Sequence, residues 1–461
     1  MTRTRFFRLL SRTGACLLFL GAAGSLSTNC SVYDTSLLVD AKDASVQGPC
    51  DPAKVPPPPK ETNLGGGIEF VVAFSLFDYG DLAGPDGGRA DRRVIGFDLD
   101  NQCSTKTEAA CQRPSWATGD ITDGPNGIDN SLAEVIQKTQ DLVPRFGSQS
   151  YTKAIQDGLT SVVNRISDYN GQADDDYIKV EVFVPAPMDA LPGAPRKKPV
   201  WDGNDVWPIS SDCVEGNDIN RPKYVSTIGY VTNYIAVANL DLAQMRIATG
   251  LTETVLSKLE INFVKPFTVS RIEKDENGNY MLKDGIIAGR WPVKHFLSQL
   301  GQFIDPLALS KENAVIPLCP PLTYHEVFRD QICKLVDVIA DPTNTDVPEC
   351  DAISVGIGFE ARAAKIGDIY QVKDLENPCP VGFQPGDDKY FCGKPVLRLD
   401  AGNDAGGGTG GRGGSSGGGG RGGSSGRGGS SGSGGSSGTS TGGTAGTGSG
   451  GMDAATDSGN D

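Results

Sequence analysis

What this chain can fold into is constrained first by its cysteines. Cys16 lies in an apolar N-terminal run, and the others follow at positions 30, 50, 103, 111, 213, 319, 333, 350, 379 and 392. No C-x-x-C occurs, and the two histidines, His295 and His325, stand away from paired cysteines. Structural zinc, which wants thiolates and imidazoles at short spacings, therefore finds no motif. In an exported chain such cysteines are expected as disulfides bracing a folded core. Short spacing favours Cys103–Cys111 and Cys379–Cys392 as local pairs, each restricting the unfolded ensemble of a loop-like segment.

Export is read at the N-terminus. Arg3, Arg5, Arg8 and Arg12 precede the apolar run Cys16 to Ala23. A basic stretch followed by a short apolar one is the pattern of a signal peptide, here 1–29. The run is shorter than the ~20 apolar residues that a membrane helix needs. Cys30 follows in Leu26-Ser27-Thr28-Asn29-Cys30. That stretch resembles the box of bacterial lipoproteins, in which the cysteine is lipidated and becomes the mature N-terminus. The next residues, Ser31 to Leu38, are similar to the segment after that cysteine in predicted secreted lipoproteins of myxobacteria-like Gram-negative bacteria. The resemblance implies lipidation at Cys30, a membrane partner through the lipid anchor, and an outer-membrane lipoprotein of the cell envelope. It implies no activity. The alternative is an ordinary signal peptide cut near the Ala/Gly/Ser stretch. That would leave a periplasmic or secreted protein, with Cys30 available for a disulfide.

Composition sets the remaining boundaries. Residues 30–66 read as a flexible spacer, with Pro56 to Pro59 favouring polyproline II. Residues 401–461 hold nearly half of the 61 glycines. Such a Gly/Ser tail buries no core and is expected as disordered coil. The foldable part is 67–400. The net charge of −15 excludes a general nucleic-acid binder, which needs a basic footprint.

Within the core, Ile68 to Phe74, Arg93 to Phe97 and Tyr177 to Val184 read as strands. Ile178, Val180, Val182 and Val184 share one face of the last. Further strands are expected near 224–231, 233–239, 258–272, 279–288 and 352–359, with a turn at Asn277-Gly278. Helices are expected at 130–143, capped by Asp129, and at 155–166, 292–303 and 324–340. From 186 to 223 the periodicity disappears, which predicts a long loop. The fold class that follows is α+β, mainly β: an antiparallel β-sandwich decorated with helices.

Motifs for catalysis fail on context. Gly413 to Gly417 satisfies G-x-S-x-G inside a glycine-serine tract, without the strand and helix of a nucleophile elbow. Gly356 to Ala361 fits G-x-G-x-x-A, but as glycines of a closely packed strand rather than a dinucleotide loop. His325-Glu326 opens a zinc-protease motif that Arg329 breaks. Carboxylates remain. Asp120, Asp123 and Asp129 on the 119–130 loop offer hard oxygen ligands for Ca²⁺, the one cofactor the sequence suggests. Asp98 and Asp100, and the triplet Asp174 to Asp176, are further acidic turns. Trp201, Asp202, Asp205 and Trp207 suit a sugar, with flat apolar faces beside acids, or else pin the loop to the core. The expected function is therefore an exported, lipid-anchored envelope protein that binds a polysaccharide or other surface partner. A carboxylate-dependent glycoside hydrolase and a purely structural envelope protein are the alternatives.

Overall fold

The computed structural model describes residues 52–60, 65–81, 94–105, 109–140, 147–195, 197–240, 245–248, 258–303, 317–343, 349–372 and 378–395. The leader, Cys30, Cys50 and the Gly/Ser tail lie outside them.

The fold is mainly-β α+β. In chain order, β1 (Ile68–Asp78) leads to α1 (Ser131–Gln140), α2 (Ser148–Gln156), β2 (Val163–Tyr169) and β3 (Lys179–Phe183). A run of short strands follows: β4 (Val206–Ser210), β5 (Val214–Glu215), β6 (Asp218–Pro222), β7 (Tyr224–Val225), β8 (Gly229–Thr232) and β9 (Ile235–Asn239). After β10 (Met245–Ala248) and β11 (Lys258–Ile261) come the long hairpin β12 (Val264–Lys274) and β13 (Tyr280–Pro292), then α3 (Val293–Ser298). The chain ends with α4 (Thr323–Lys334), β14 (Ala352–Ala363) and β15 (Lys365–Tyr370).

One large antiparallel sheet runs β7-β3-β2-β1-β14-β13-β12-β9-β8. Its two ends meet. Val231 of β8 exchanges both backbone hydrogen bonds with Asp175, and Ile178 N–H donates to Gly229. On the same edge of β3, Val225 and Tyr224 of β7 pair with Glu181 and Val182. Residues 224–232 thus act as one bulged strand that joins β9 to β3. The sheet closes on itself as an eight-stranded barrel, so the two packed layers expected of a sandwich are opposite walls of one curled sheet.

Alternation decides what faces inward. On β14, Val355, Ile357 and Phe359 point inward, and Phe359 stacks on Phe74 of β1 at 4.2 Å. The intervening Ser354, Gly356 and Gly358 point outward, toward α1 and the 95–98 segment. A Cβ on Gly356 would stand 2.1 Å from the Ile95 carbonyl, so the glycine of that strand serves close packing. Asn130 fastens the contact: its side chain exchanges hydrogen bonds with Gly356 and accepts one from Ala133 N–H. Asn130, not Asp129, is therefore the cap of α1. Around the outside of β12 and β13, Phe267, Val269 and Ala288 pack against Phe97 and Leu99. Part of the expected spacer lies here too. Val55 packs on the same cluster, and Tyr230 Oη donates to the Pro56 carbonyl.

Several sequence expectations change. The helix placed at 155–166 is the end of α2 followed by β2. Gly158, at φ +76°, closes α2 in the left-handed conformation, and Val163 and Ile166 join the barrel. Residues 94–97 make a single bridge, Phe97 to Asp129, rather than a strand. The 186–223 stretch carries β4, β5 and β6, with β4 lying parallel to β15. Its strands are too short for a visible period, and β4 finds its partner far away in sequence. At the β12–β13 turn only Gly278 takes a positive φ, while Asp275 holds the turn by accepting from Asn277 and Asn279 N–H.

The disulfides also differ. Cys111 pairs with Cys350, Cys319 with Cys379 and Cys333 with Cys392. Cys103 is disulfide-bonded as well, though not to Cys111. A parallel bridge between Gln112 and Glu349 sets Cys111 beside Cys350. The other two bonds strap the 378–395 segment to α4 and the turn before it. Local spacing misleads because the barrel brings distant segments together. Cys213 is buried as a free thiol. Disulfides of this kind belong to an oxidising, non-cytoplasmic compartment. Among the described residues no helix is long and apolar enough to cross a membrane.

Candidate metal centre

The Phe97–Asp129 bridge places two acidic turns side by side on the outer wall of the barrel. Asp129 N–H donates to the Phe97 carbonyl, and Leu99 N–H donates to Asp129 Oδ2 at 2.6 Å. Asp98 and Asp100 each accept from a backbone N–H in their own turn, those of Asn101 and Gln102. Asp123 comes in from the other loop and accepts from Ser104 N–H. Carboxylate oxygens of Asp98, Asp100 and Asp129 all lie within 4.8 Å of one another. Gly127, at φ +70°, is required here: a Cβ would reach 3.3 Å from Asp98 Oδ2 and 3.1 Å from the Gln102 carbonyl.

The electrostatics are those of crowded, partly dried carboxylates. Burial pushes Asp98 up to about 6 and Asp100 up to about 7, the latter helped by the Asp98 charge. Burial and the charge of Asp100 push Asp123 up to about 8. Asp129, 2% exposed, is held well above the carboxylate range by burial and then by Asp100, Asp123 and Asp337. Arg290 of β13 approaches from the barrel wall and donates to the Leu99 carbonyl. Its guanidinium faces Asp129 and Asp100, yet one cation does not balance four carboxylates. Asp98 Oδ2 is buried without a hydrogen-bond partner.

These residues fit a hard divalent cation. Ca²⁺ takes 6–8 oxygens at ~2.3–2.6 Å, so two ligands of one ion stand no more than about 5 Å apart. Asp98, Asp100 and Asp129 meet that condition, with Asp123 beside Asp129. The donors are all oxygen, and no histidine or thiolate enters the group, which suits calcium over zinc.

Of the loop acids expected from sequence, Asp129 is in the cluster and Asp123 borders it. Asp120 is not: it is exposed and accepts from Thr122 N–H and Oγ1 in its own turn. Asp98 and Asp100 read from sequence only as an acidic turn. The register that brings them to Asp129 is a single bridge with no periodic signal.

The tryptophan loop is a piece of core rather than a platform. Trp207 is fully buried on β4, so it offers no face to a sugar. Trp201 is half-buried beside it, with ring centroids 6.4 Å apart. Asp205 is fully buried and accepts from Val200 and Trp201 N–H, which ties the turn. Asp202 accepts from Asn204 N–H. Trp207 and Asp205 thus close the loop onto the barrel, Trp201 packs beside Trp207, and Asp202 is exposed in its own turn.

The fold and cluster define a class in physical terms: a disulfide-braced, closed antiparallel barrel with a carboxylate centre on its outer wall. No family model, no curated protein and no solved structure matches this chain.

Proposed function

We propose that this is an exported, lipid-anchored cell-envelope protein whose loop layer is locked to its barrel by Ca²⁺, and that it serves binding rather than catalysis. The observation that carries the reading is Asp98 Oδ2, buried without a donor among the oxygens of Asp100 and Asp129. A buried carboxylate oxygen left unpaired is costly, and a divalent cation removes that cost for several carboxylates at once. The leader and the residues around Cys30 support the anchor. The tryptophan loop lends no support to a polysaccharide platform. Nor does the cluster favour a glycosidase, whose two carboxyls flank an open sugar site, because Asp129 is sealed.

Titration of the thermal midpoint with CaCl2 against EDTA tests the cation. A saturable rise is expected, worth about 2.7 kcal/mol at one hundred times Kd. Asp129→Asn keeps the shape and the hydrogen bond from Leu99 but removes the charge, and should abolish the calcium response. Equal midpoints in EDTA and millimolar calcium would overturn the reading. The anchor is tested by fractionation: wild type should sediment with envelope membranes, and Cys30→Ala should not.

A further inference from the structure

The segment 52–60 crosses the outer wall of the barrel at the carboxylate centre. We infer that residues 53–56 form a calcium-dependent clasp: this strap docks when the cation holds the two acidic turns together and lets go when the cation leaves. The inference rests on the cation reading above. Ala53 carries the geometry. Its N–H donates to the Asn126 carbonyl at 2.8 Å, and its own carbonyl accepts from Asp98 N–H at 3.0 Å. Asn126 belongs to the loop that supplies Asp123 and Asp129. Asp98 belongs to the turn that supplies Asp100, and is itself a member of the carboxylate cluster. One residue of the strap therefore spans both halves of the centre, beside the single Phe97–Asp129 bridge.

The rest of the strap depends on the same turn. Val55 packs on the cluster that holds Phe97 and Leu99, the two residues flanking Asp98, and the Pro56 carbonyl accepts from Tyr230 Oη. Pro56 to Pro59 have no N–H to donate, so the strap cannot extend its pairing into a sheet ladder. Without the ion, the carboxylates of Asp98, Asp100 and Asp129, within 4.8 Å of one another, repel across the joint between the two turns. Any parting of the turns separates the donor and the acceptor that Ala53 holds at once. Such coupling is reciprocal: the factor that calcium adds to strap docking is the factor that the docked strap adds to calcium affinity. In the lipid-anchored chain the tether is rooted at Ala53 with the strap docked and at Ile68 with it released. The ion thereby sets how far the barrel can stand from the membrane.

Endoproteinase Lys-C, which needs no calcium, reads the strap at the Lys54–Val55 bond, because Lys54 is exposed while Ala53 and Val55 are held. The full chain is digested in EDTA and in millimolar CaCl2, and calcium affinity is measured by calorimetry on the same protein. Calcium should bind and slow cleavage after Lys54 about tenfold. Cleavage after Lys197, on the exposed loop against Gly158, should stay unchanged. Val55→Asn keeps every carboxylate but removes the apolar contact. It should weaken calcium binding about fivefold and speed cleavage after Lys54 in calcium. Calcium binding with equal cleavage after Lys54 in both buffers would overturn the clasp and leave the cation reading standing. Equal protection at Lys54 and Lys197 would overturn the clasp as well, because the ion would then stabilise the whole fold and not the strap. Absence of calcium binding would overturn both. Wild-type digestion decides the matter even where the variant fails to fold.

Discussion

Asp129 shows how a role passes between adjacent residues. Its place before an apolar helix suits a cap, but Asn130 takes that position because its amide both donates and accepts across to Gly356. The carboxylate of Asp129 is thereby left to face Asp98 and Asp100. Trp207 teaches the converse, since a polar loop sequence carries a core side chain. Trp207→Ala should cost about 3–5 kcal/mol in urea unfolding, whereas a platform residue would leave stability nearly unchanged. His325 sets a pH limit. It is 1% exposed, and burial together with the neighbouring Arg329 lowers it to about 4 from an ordinary 6.5. The ring edge of Tyr390 also lies against it. The unfolded chain therefore takes up a proton between pH 6.5 and 4 that the folded chain refuses. The histidine's own contribution to stability should fall as pH drops through that window, by up to about 3 kcal/mol, against the opposite contribution of the raised carboxyls of Asp98, Asp100 and Asp123. His325→Gln should remove that contribution, so denaturant midpoints of the variant should gain on those of wild type between pH 7 and pH 4. Cys213 is a third case. Burial pushes its thiol up to about 11, so native protein at pH 8 should leave it unalkylated by iodoacetamide, and unfolding should expose it.

At the scale of elements, the error at 155–166 has a simple cause. Ile155, Leu159, Val162 and Ile166 match a helical period, yet a strand of β-branched residues matches it as well over so short a run. Gly158 decided the matter by taking a left-handed turn. The disulfides act between elements. Cys111–Cys350 closes 239 residues and Cys333–Cys392 closes 59. Chain entropy then makes the first worth about 1 kcal/mol more than the second. Paired serine variants of each, compared by guanidinium unfolding, should fall in that order. Peptide mapping without reduction should recover these pairs and not Cys103–Cys111 or Cys379–Cys392.

For the molecule as a whole, closure of the barrel is the governing fact. An open sheet leaves two edges with unpaired backbone groups, and closure removes them. Amide exchange should therefore be as slow at Asp175, Ile178 and Val231, which make the seam, as at Ile287 and Ile357 in the middle of the wall. Fast exchange confined to the seam residues would show that the ring opens in solution.

The sequence by itself determined the class of fold, the strands with clear alternation such as β3 and β14, and the use of cysteines as disulfides. These follow from local period and composition, which depend on near neighbours along the chain. Only the tertiary structure decided the closure through residues 224–232, the pairing of the cysteines, the burial of Trp207 and the meeting of Asp98 and Asp100 with Asp129. Each of these rests on contacts between residues far apart in sequence, in a register set by bulges and single bridges that leave no periodic trace.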